Sequence, residues 1–257
     1  LNNFFLQPSF TYHADIFQVK AGVNIASHND EFFFFPDLEA SANILGSALT
    51  GFIGTEGSLS KNTFRSLTDY NPFLASRIRI ENTNYFYYYG GARGNVQGIN
   101  YRAEVGYKTA ENLALFLTNP DDINRFDVLY DDVDIFSVSG TVTADVAGLN
   151  ITGVVTQNFF TPAEQEKPWH LPSLEMNLTA QYAALDDKLR VRGEIFIENG
   201  VPFINSDGET DNLNGLFDVS LGAEYMFTEQ FGGFLHMYNR ANNKRQRWDR
   251  CPSIDLN

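Results

Sequence analysis

The chain has 257 residues, 43% hydrophobic, 14% aromatic and only 19% charged, with 32 acids against 18 bases and a net charge of −14. That apolar load excludes a disordered chain, and the acidic balance argues against a nucleic-acid partner, which calls for a basic face. A single Cys excludes an internal disulfide framework and a Cys-based zinc cluster, and no apolar run reaches the roughly 18 residues of a transmembrane helix.

The first residues, Leu1 to Leu6, lack the basic start and long apolar core of a secretory signal. A mean hydropathy of −0.25 is that of a soluble protein, but a membrane β-barrel gives a similar average, because half of each strand faces water. Periodicity has to separate the two.

In chain order, the first clear period-two run is Phe17, Val19, Ala21, Val23 and Ile25, followed by Tyr101, Ala103, Val105 and Tyr107 against Arg102, Glu104 and Lys108. The next segment changes parity: Val133 and Ile135 are apolar at odd positions, Val138, Val142, Ala144 and Val146 at even ones. A β-bulge near Phe136 is expected to restore the faces. Leu174, Met176, Leu178, Ala180 and Tyr182 then alternate with Glu175, Asn177, Thr179 and Gln181. Leu189, Val191, Gly193, Ile195 and Ile197 alternate with Arg190, Arg192 and Glu194, and Phe217, Val219, Leu221, Ala223, Tyr225 and Phe227 with Asp218, Ser220 and Glu224. No helical period persists.

Connections alternate in length. Short ones are expected at 13–15, 46–50, 94–98, 147–150, 183–188 and 228–230, and longer ones at 27–37, 60–84, 110–124, 158–173 and 198–215. Tight turns on one rim and long loops on the other belong to an up-and-down outer-membrane barrel. A β-sandwich shares the alternation, but strands of about ten residues favour the barrel. So do the aromatic groups at strand ends, Phe32 to Phe35, Tyr85 to Tyr89, Phe159, Phe160, Tyr225 and Phe227. The expected fold is all-β, an antiparallel up-and-down transmembrane β-barrel or a section of a larger one, with about a dozen strands. With the short turns periplasmic, both chain ends fall on the extracellular rim, and the chain ends in a polar tail at 253–257. The expectation is therefore a single barrel domain over 1–257, incomplete at both ends and without a plug.

The run Leu221-Gly-Ala-Glu-Tyr-Met-Phe-Thr228, a tight turn, then Phe234, Asn239 and Asn242-Asn-Lys-Arg-Gln-Arg-Trp248 resembles the penultimate strands of TonB-dependent receptor barrels. Phe64-Arg-Ser-Leu-Thr-Asp-Tyr-Asn-Pro-Phe73 resembles a loop of such receptors. The resemblance implies an outer-membrane location, nutrient uptake, and a plug domain and TonB as partners of a full chain, besides outer-membrane lipid and other outer-membrane proteins. An N-terminal plug, an energy-coupling box and a terminal aromatic strand are absent from this sequence. A passive porin or structural barrel partner, and a soluble all-β binding module, are the competing readings.

Within the barrel reading, Glu175, Asn177, Gln181, Arg190, Arg192, Glu194, Asp218 and Glu224 face the lumen, and Trp169, Tyr225, Phe227 and Trp248 anchor the interfaces. No catalytic, cofactor or metal site is expected. His13, His28, His170 and His236 are scattered without the spacing of a zinc or nucleophile motif. Asp207, Glu209 and Asp211 in the loop 205–214 lack the bidentate Glu of a calcium loop, and Asp131 to Asp134 read as charged loop and rim. Gly90, Gly91 and Gly94 relieve crowding beside Tyr87 to Tyr89. Arg240, Lys244, Arg245, Arg247 and Arg250 form a basic cluster suited to lipopolysaccharide phosphates or to a solvated loop, and Cys251 is an incidental thiol.

Overall fold

The computed structural model describes residues 4–28, 31–237, 246–249 and 251–252. Its strands are β1 (Phe4–Leu6), β2 (Ser9–His13), β3 (Phe17–His28), β4 (Glu31–Leu45), β5 (Leu49–Ser60), β6 (Thr83–Val96), β7 (Ile99–Thr118), β8 (Phe126–Val146) and β9 (Leu149–Pro162). There follow β10 (Leu174–Ala184), β11 (Leu189–Asn199), β12 (Pro202–Ile204), β13 (Thr210–Asn212), β14 (Leu216–Met226), β15 (Gly232–Met237), β16 (Gln246–Trp248) and β17 (Cys251–Pro252). One helix, α1 (Phe64–Tyr70), lies between β5 and β6.

Thirteen strands form one antiparallel sheet in the order β1-β3-β4-β5-β6-β7-β8-β9-β10-β11-β14-β15, with β2 also on β3. The strands β1 and β2 share a row: Leu6 pairs with Ile25 and Ser9 with Gly22 in unbroken register. Pro8, which has no N–H to give a ladder, splits them, though its carbonyl accepts from Val23 N–H at 3.1 Å. The expected all-β antiparallel meander of about a dozen strands is therefore observed. Among the described residues no ladder joins β15 to β1 or β2, so the sheet is open at both edges.

Several boundaries differ from expectation. Residues 31–37 are strand, paired to β3 from His28–Glu31 onward, so most of the link expected at 27–37 belongs to the two strands and the alternation of short and long connections breaks there. The strands β7 and β8 extend through much of the loop expected at 110–124, reaching Thr118 and restarting at Phe126. Likewise β9 runs on to Pro162. No bulge lies near Phe136: β8 pairs with β9 in one register from Val133–Pro162 to Val146–Leu149. The irregularity sits in β7, between Ala110 and Leu113, where Asn112 adopts φ +55. The parity change in β8 instead marks a change of surroundings along a straight strand. Outward Phe136, Val138, Val142 and Val146 are exposed, whereas Val133 and Ile135 point to the other side and pack on Ala110, Tyr85 and Phe160.

Two of the short turns are built alike. Val96 pairs with Ile99 and Val146 with Leu149, closing two-residue loops. Gln97-Gly98 and Ala147-Gly148 take positive φ at both positions, the mirror-image turn whose twist matches the strands.

The ladder keeps one face polar. Lys20 lies opposite Glu39, Asp37 opposite Glu56, Arg93 opposite Arg102, Glu104 opposite Ser139, and Thr143 opposite Thr152. The other face carries Val19, Ile53, Tyr88, Val105, Tyr107, Phe136, Val142, Val191 and Leu221, all more than a third exposed.

On the polar face the sheet curls, because large side chains reach across rows left bare by glycine. Tyr89 crosses Gly54 of β5 to reach Glu39 of β4 at 3.1 Å, although strands two rows apart are separated by about 10 Å. A Cβ at Gly54 would stand 2.6 Å from the Tyr89 ring, and one at Gly106 only 2.3 Å from Tyr87. Above the last β4–β5 pair, Asp37–Glu56, Ala26 and Phe35 of the β3–β4 hairpin pack on Leu59 and Phe86.

A side chain at either notch must displace an aromatic ring. Gly106→Val is expected to lower stability by about 1–3 kcal/mol through overpacking, read as a lower thermal midpoint of the folded form in detergent. Gly140→Ala, whose Cβ meets only Val155 at 3.6 Å, should stay within about 0.5 kcal/mol.

Candidate functional site: inner wall and distal cap

The register collects the eight residues assigned to a lumen onto one face of three adjacent strands. Asn177 lies opposite Phe196, Gln181 opposite Arg192 and Ala183 opposite Arg190. Arg190 in turn lies opposite Glu224, Phe196 opposite Asp218 and Glu194 opposite Ser220, while Glu175 faces Glu198 at the distal end. Asn177 donates to Glu194 at 3.1 Å, and the Arg192 guanidinium stands 3.6 Å from the same carboxylate. A groove of about 640 Å³ runs over Gly222, lined by Gln181, Arg190, Arg192, Glu194, Glu224 and His236.

A second, tighter network on the same face, over β3 to β7, escaped the sequence reading. Lys20 bonds Asp37 at 2.8 Å. Glu39 accepts from Tyr89 at 3.1 Å and pairs with Arg93 at 3.0 Å. Glu104 accepts from Tyr87 at 2.6 Å and from Arg102 Nε at 3.1 Å. The Arg102 guanidinium lies 4.0 Å over the Phe52 ring, and Lys108 Nζ sits 5.1 Å from the Tyr87 ring centre. Lys20, Glu39, Glu56, Tyr89, Arg102 and Glu104 are among the residues that line a concavity of about 330 Å³. The signal for them was present in the alternate tyrosines at 85, 87 and 89 and the even-numbered charges 102, 104 and 108. It needed the glycines at 54 and 106 to be recognised as the floor under those rings.

The densest packing lies elsewhere, over the long-loop rim. The upper parts of β7 and β8 continue past the rest of the sheet and carry Phe116 and Phe126, only 2% and 0% exposed. The helix α1 closes over them. Thr63 caps it by accepting from Ser66 N–H, the Ser66 hydroxyl accepts from Thr63 N–H in return, and Leu67 and Leu74 complete the cluster. The segment 163–173 is held by Asp131, whose carboxylate accepts from Glu164 N–H and Gln165 N–H, and by Trp169, whose indole donates to Gln165 Oε1 at 3.2 Å. Beside it, Leu213 N–H bonds the Val201 carbonyl at the base of the β12–β13 hairpin.

This cap corrects two of the four interfacial anchors. Trp169 and Trp248 are 3% and 4% exposed, and Trp248 packs on Tyr70, Phe116, Phe126 and His170, so neither presents a ring outward. Tyr225 and Phe227 are exposed and form an edge-to-face pair at 5.2 Å. Asp131 to Asp134 are part of β8 rather than loop.

Among the described histidine side chains, His170 is the buried one. Its Nδ1 meets the Phe116 carbonyl at 2.7 Å, its ring stacks on Trp248 and meets Phe126 edge-on, and Nε2 has no hydrogen-bond partner among the described residues. Burial lowers its pKa to about 4, with the Phe116 bond acting in the opposite direction. Asp207, Glu209 and Asp211 are exposed, in a turn organised by Asn205, whose amide oxygen accepts from Asp207 N–H and Glu209 N–H. The His28, Arg247 and Cys251 side chains, and Arg240, Lys244, Arg245 and Arg250, lie outside what is described.

No protein-family model matches the chain, and no curated protein does. Solved structures do. The ferric-catecholate import receptor Fiu of Escherichia coli K12 matches with a TM-score of 0.68 at 12% identity, over 95% of this chain and 41% of that one. The pyoverdine outer-membrane receptor FpvA of Pseudomonas aeruginosa matches at 0.66 and 14% identity, over 95% and 39%. The copper transporter OprC matches at 0.63 and 11% identity, over 95% and 42%. The chain thus spans about two fifths of the length of these proteins. At these identities the likeness is one of fold alone: the antiparallel sheet described above matches a stretch of each of these outer-membrane receptors and transporters.

Proposed function

We propose that the chain forms wall of an outer-membrane β-barrel of the receptor type, which takes up a nutrient across the outer membrane. The observation that carries this reading is the unbroken two-faced character of the sheet. Tyr88, Tyr107, Phe136 and Phe159 are direct cross-strand partners and form an outward aromatic row over four adjacent strands, where an interfacial girdle belongs. From Ile99 at the turn rim to Tyr107 is nine residues, the length a tilted strand needs to cross the hydrocarbon layer. Beyond that row, β7 and β8 continue into the cap, outside the membrane.

In this reading, outward Val105, Val142, Val191 and Leu221 contact lipid. Glu175, Asn177, Gln181, Arg190, Arg192, Glu194, Asp218 and Glu224 line a lumen filled by water or by a plug. The open edges β1–β2 and β15 pair with further strands, since an unpaired edge in hydrocarbon leaves backbone groups without partners at several kcal/mol each. Energy-coupled uptake brings in a plug domain and TonB as partners of the working transporter. A passive barrel uses the same wall without them.

Outward and inward substitutions one residue apart test the reading. Val155→Arg, level with Ala103 midway between the turn rim and the aromatic row, places a charge in lipid and should cost about 2–4 kcal/mol of folding into vesicles, and Thr156→Arg, facing the lumen, no more than about 0.5 kcal/mol. Equal costs at the two positions sink the proposal. The full-length protein should also show heat-modifiable migration in detergent gels and fractionate with the outer membrane. A chain that folds monodisperse without detergent would instead be a soluble module.

A further inference from the structure

The cap closes on a histidine that has to stay neutral. Six elements meet at His170. Tyr70 of α1 donates its hydroxyl to the His170 carbonyl at 3.3 Å, and His170 N–H donates to the Pro202 carbonyl of β12 at 2.9 Å. Phe116 N–H of β7 donates to the Trp169 carbonyl at 3.3 Å. Phe126 of β8 and Trp248 of β16 pack on the ring, and the sixth element is the segment 163–173 that carries His170. The backbone there is left-handed, φ +59, a conformation that costs a non-glycine residue energy and persists where surroundings impose it.

Because a carbonyl only accepts, Nδ1 carries the ring proton, and Nε2 presents a bare lone pair to aromatic carbon. A second proton would create a buried cation whose new N–H has no acceptor. The Trp248 face offers partial cation–π compensation, which a lost hydration shell outweighs at this depth.

We propose that His170 is an acid-sensitive latch: uptake of a solvent proton at Nε2 expels the ring from between Trp248 and Phe126, releases the segment 163–173 from β7, and opens the cap while the sheet stays intact. Among the described residues the titratable groups around it are few. The segment itself brings Glu164, Glu166 and Lys167, and Asp131 of β8 holds it by main-chain bonds. The helix brings Tyr70, Asp249 follows Trp248, and β7 and β12 present Phe116 and Pro202. Only burial and the Phe116 bond move the ring's pKa.

The sign follows from the direction of that shift. With a closed-state value of about 4 against an ordinary 6.5, the stabilisation from a neutral His170 is complete above pH 6.5 and drains away as pH falls from 6.5 to 4. Below that window the closed-to-open ratio is lower by about 300-fold.

Both tryptophans of the chain, Trp169 and Trp248, lie in the cap, so tryptophan emission reads the cap, and heat-modifiable migration reads the sheet. The test is the denaturant dependence of emission for the full chain in detergent at pH 7 and at about pH 3.5, with His170→Asn as the comparison, since Asn accepts a left-handed backbone. The carboxylates Asp131 and Asp249 remain in both proteins and cancel. The wild-type closed-to-open ratio should fall about 200-fold more than that of the variant between these two pH values, with the sheet signal unchanged. Equal falls in the two, or loss of the sheet together with the cap, would overturn the proposal. Should His170→Asn fail to fold, ring NMR of wild type decides. Titration near pH 4 in step with the emission change supports the latch, and titration near 6.5, or an emission change that precedes it, refutes it.

Discussion

Antiparallel pairing without a change of parity is the constraint on which the rest of the molecule depends. Side chains alternate across a strand, so a one-residue slip would send every polar group to the opposite face. From β8 to β14 the ladders run without such a slip, and the carboxylates, guanidinium groups and amides of β10, β11 and β14 consequently share a surface although they come from separate stretches of sequence. The bulge between Ala110 and Leu113 falls above the aromatic row, where the strand leaves the two-faced sheet and enters the cap. There the requirement to keep one face apolar toward the outside no longer applies, and Phe116 is free to serve a buried cluster.

The wall and the cap are held by different physics. A curved sheet one layer thick has little interior, and Val105, Val142 and Leu221 remain exposed within the chain itself. Its stability comes from main-chain hydrogen bonds and from cross-row contacts such as Tyr89 over Gly54 to Glu39, where a glycine leaves room for a ring and the ring gives the strand the packing surface that glycine lacks. The cap behaves like a small globular core. Leu67, Leu74, Phe116, Phe126 and Trp248 exclude water, and the polar groups buried with them are tied to backbone, as Asp131 is to Glu164 and Gln165. One face of the sheet is thus polar, the opposite face apolar and exposed within the chain, and one rim carries a packed cap.

Much of this was legible in the sequence, because period-two alternation is a local property that a strand obeys wherever it is placed. The number of rows, the antiparallel meander, the short turns expected at 94–98 and 147–150, and the shared parity of Glu175, Asn177 and Gln181 all follow from neighbours in the chain. The likeness to receptor barrels rested on a short hairpin and on the segment 64–73, and agrees with the fold found by structural comparison over 95% of the chain. What the sequence could not decide was the role of each apolar residue, since an apolar side chain obeys the same alternation whether it meets lipid or protein. Val133 and Ile135 looked like a register fault and are buried contacts of a straight strand. Trp169 and Trp248 looked like interfacial anchors and are the interior of the cap. His170 looked scattered, since its partners Tyr70, Phe116, Phe126 and Trp248 approach it from distant parts of the chain. Pairing within a strand is written in consecutive residues, whereas burial depends on which distant segment arrives to cover it, and only the tertiary structure decides that.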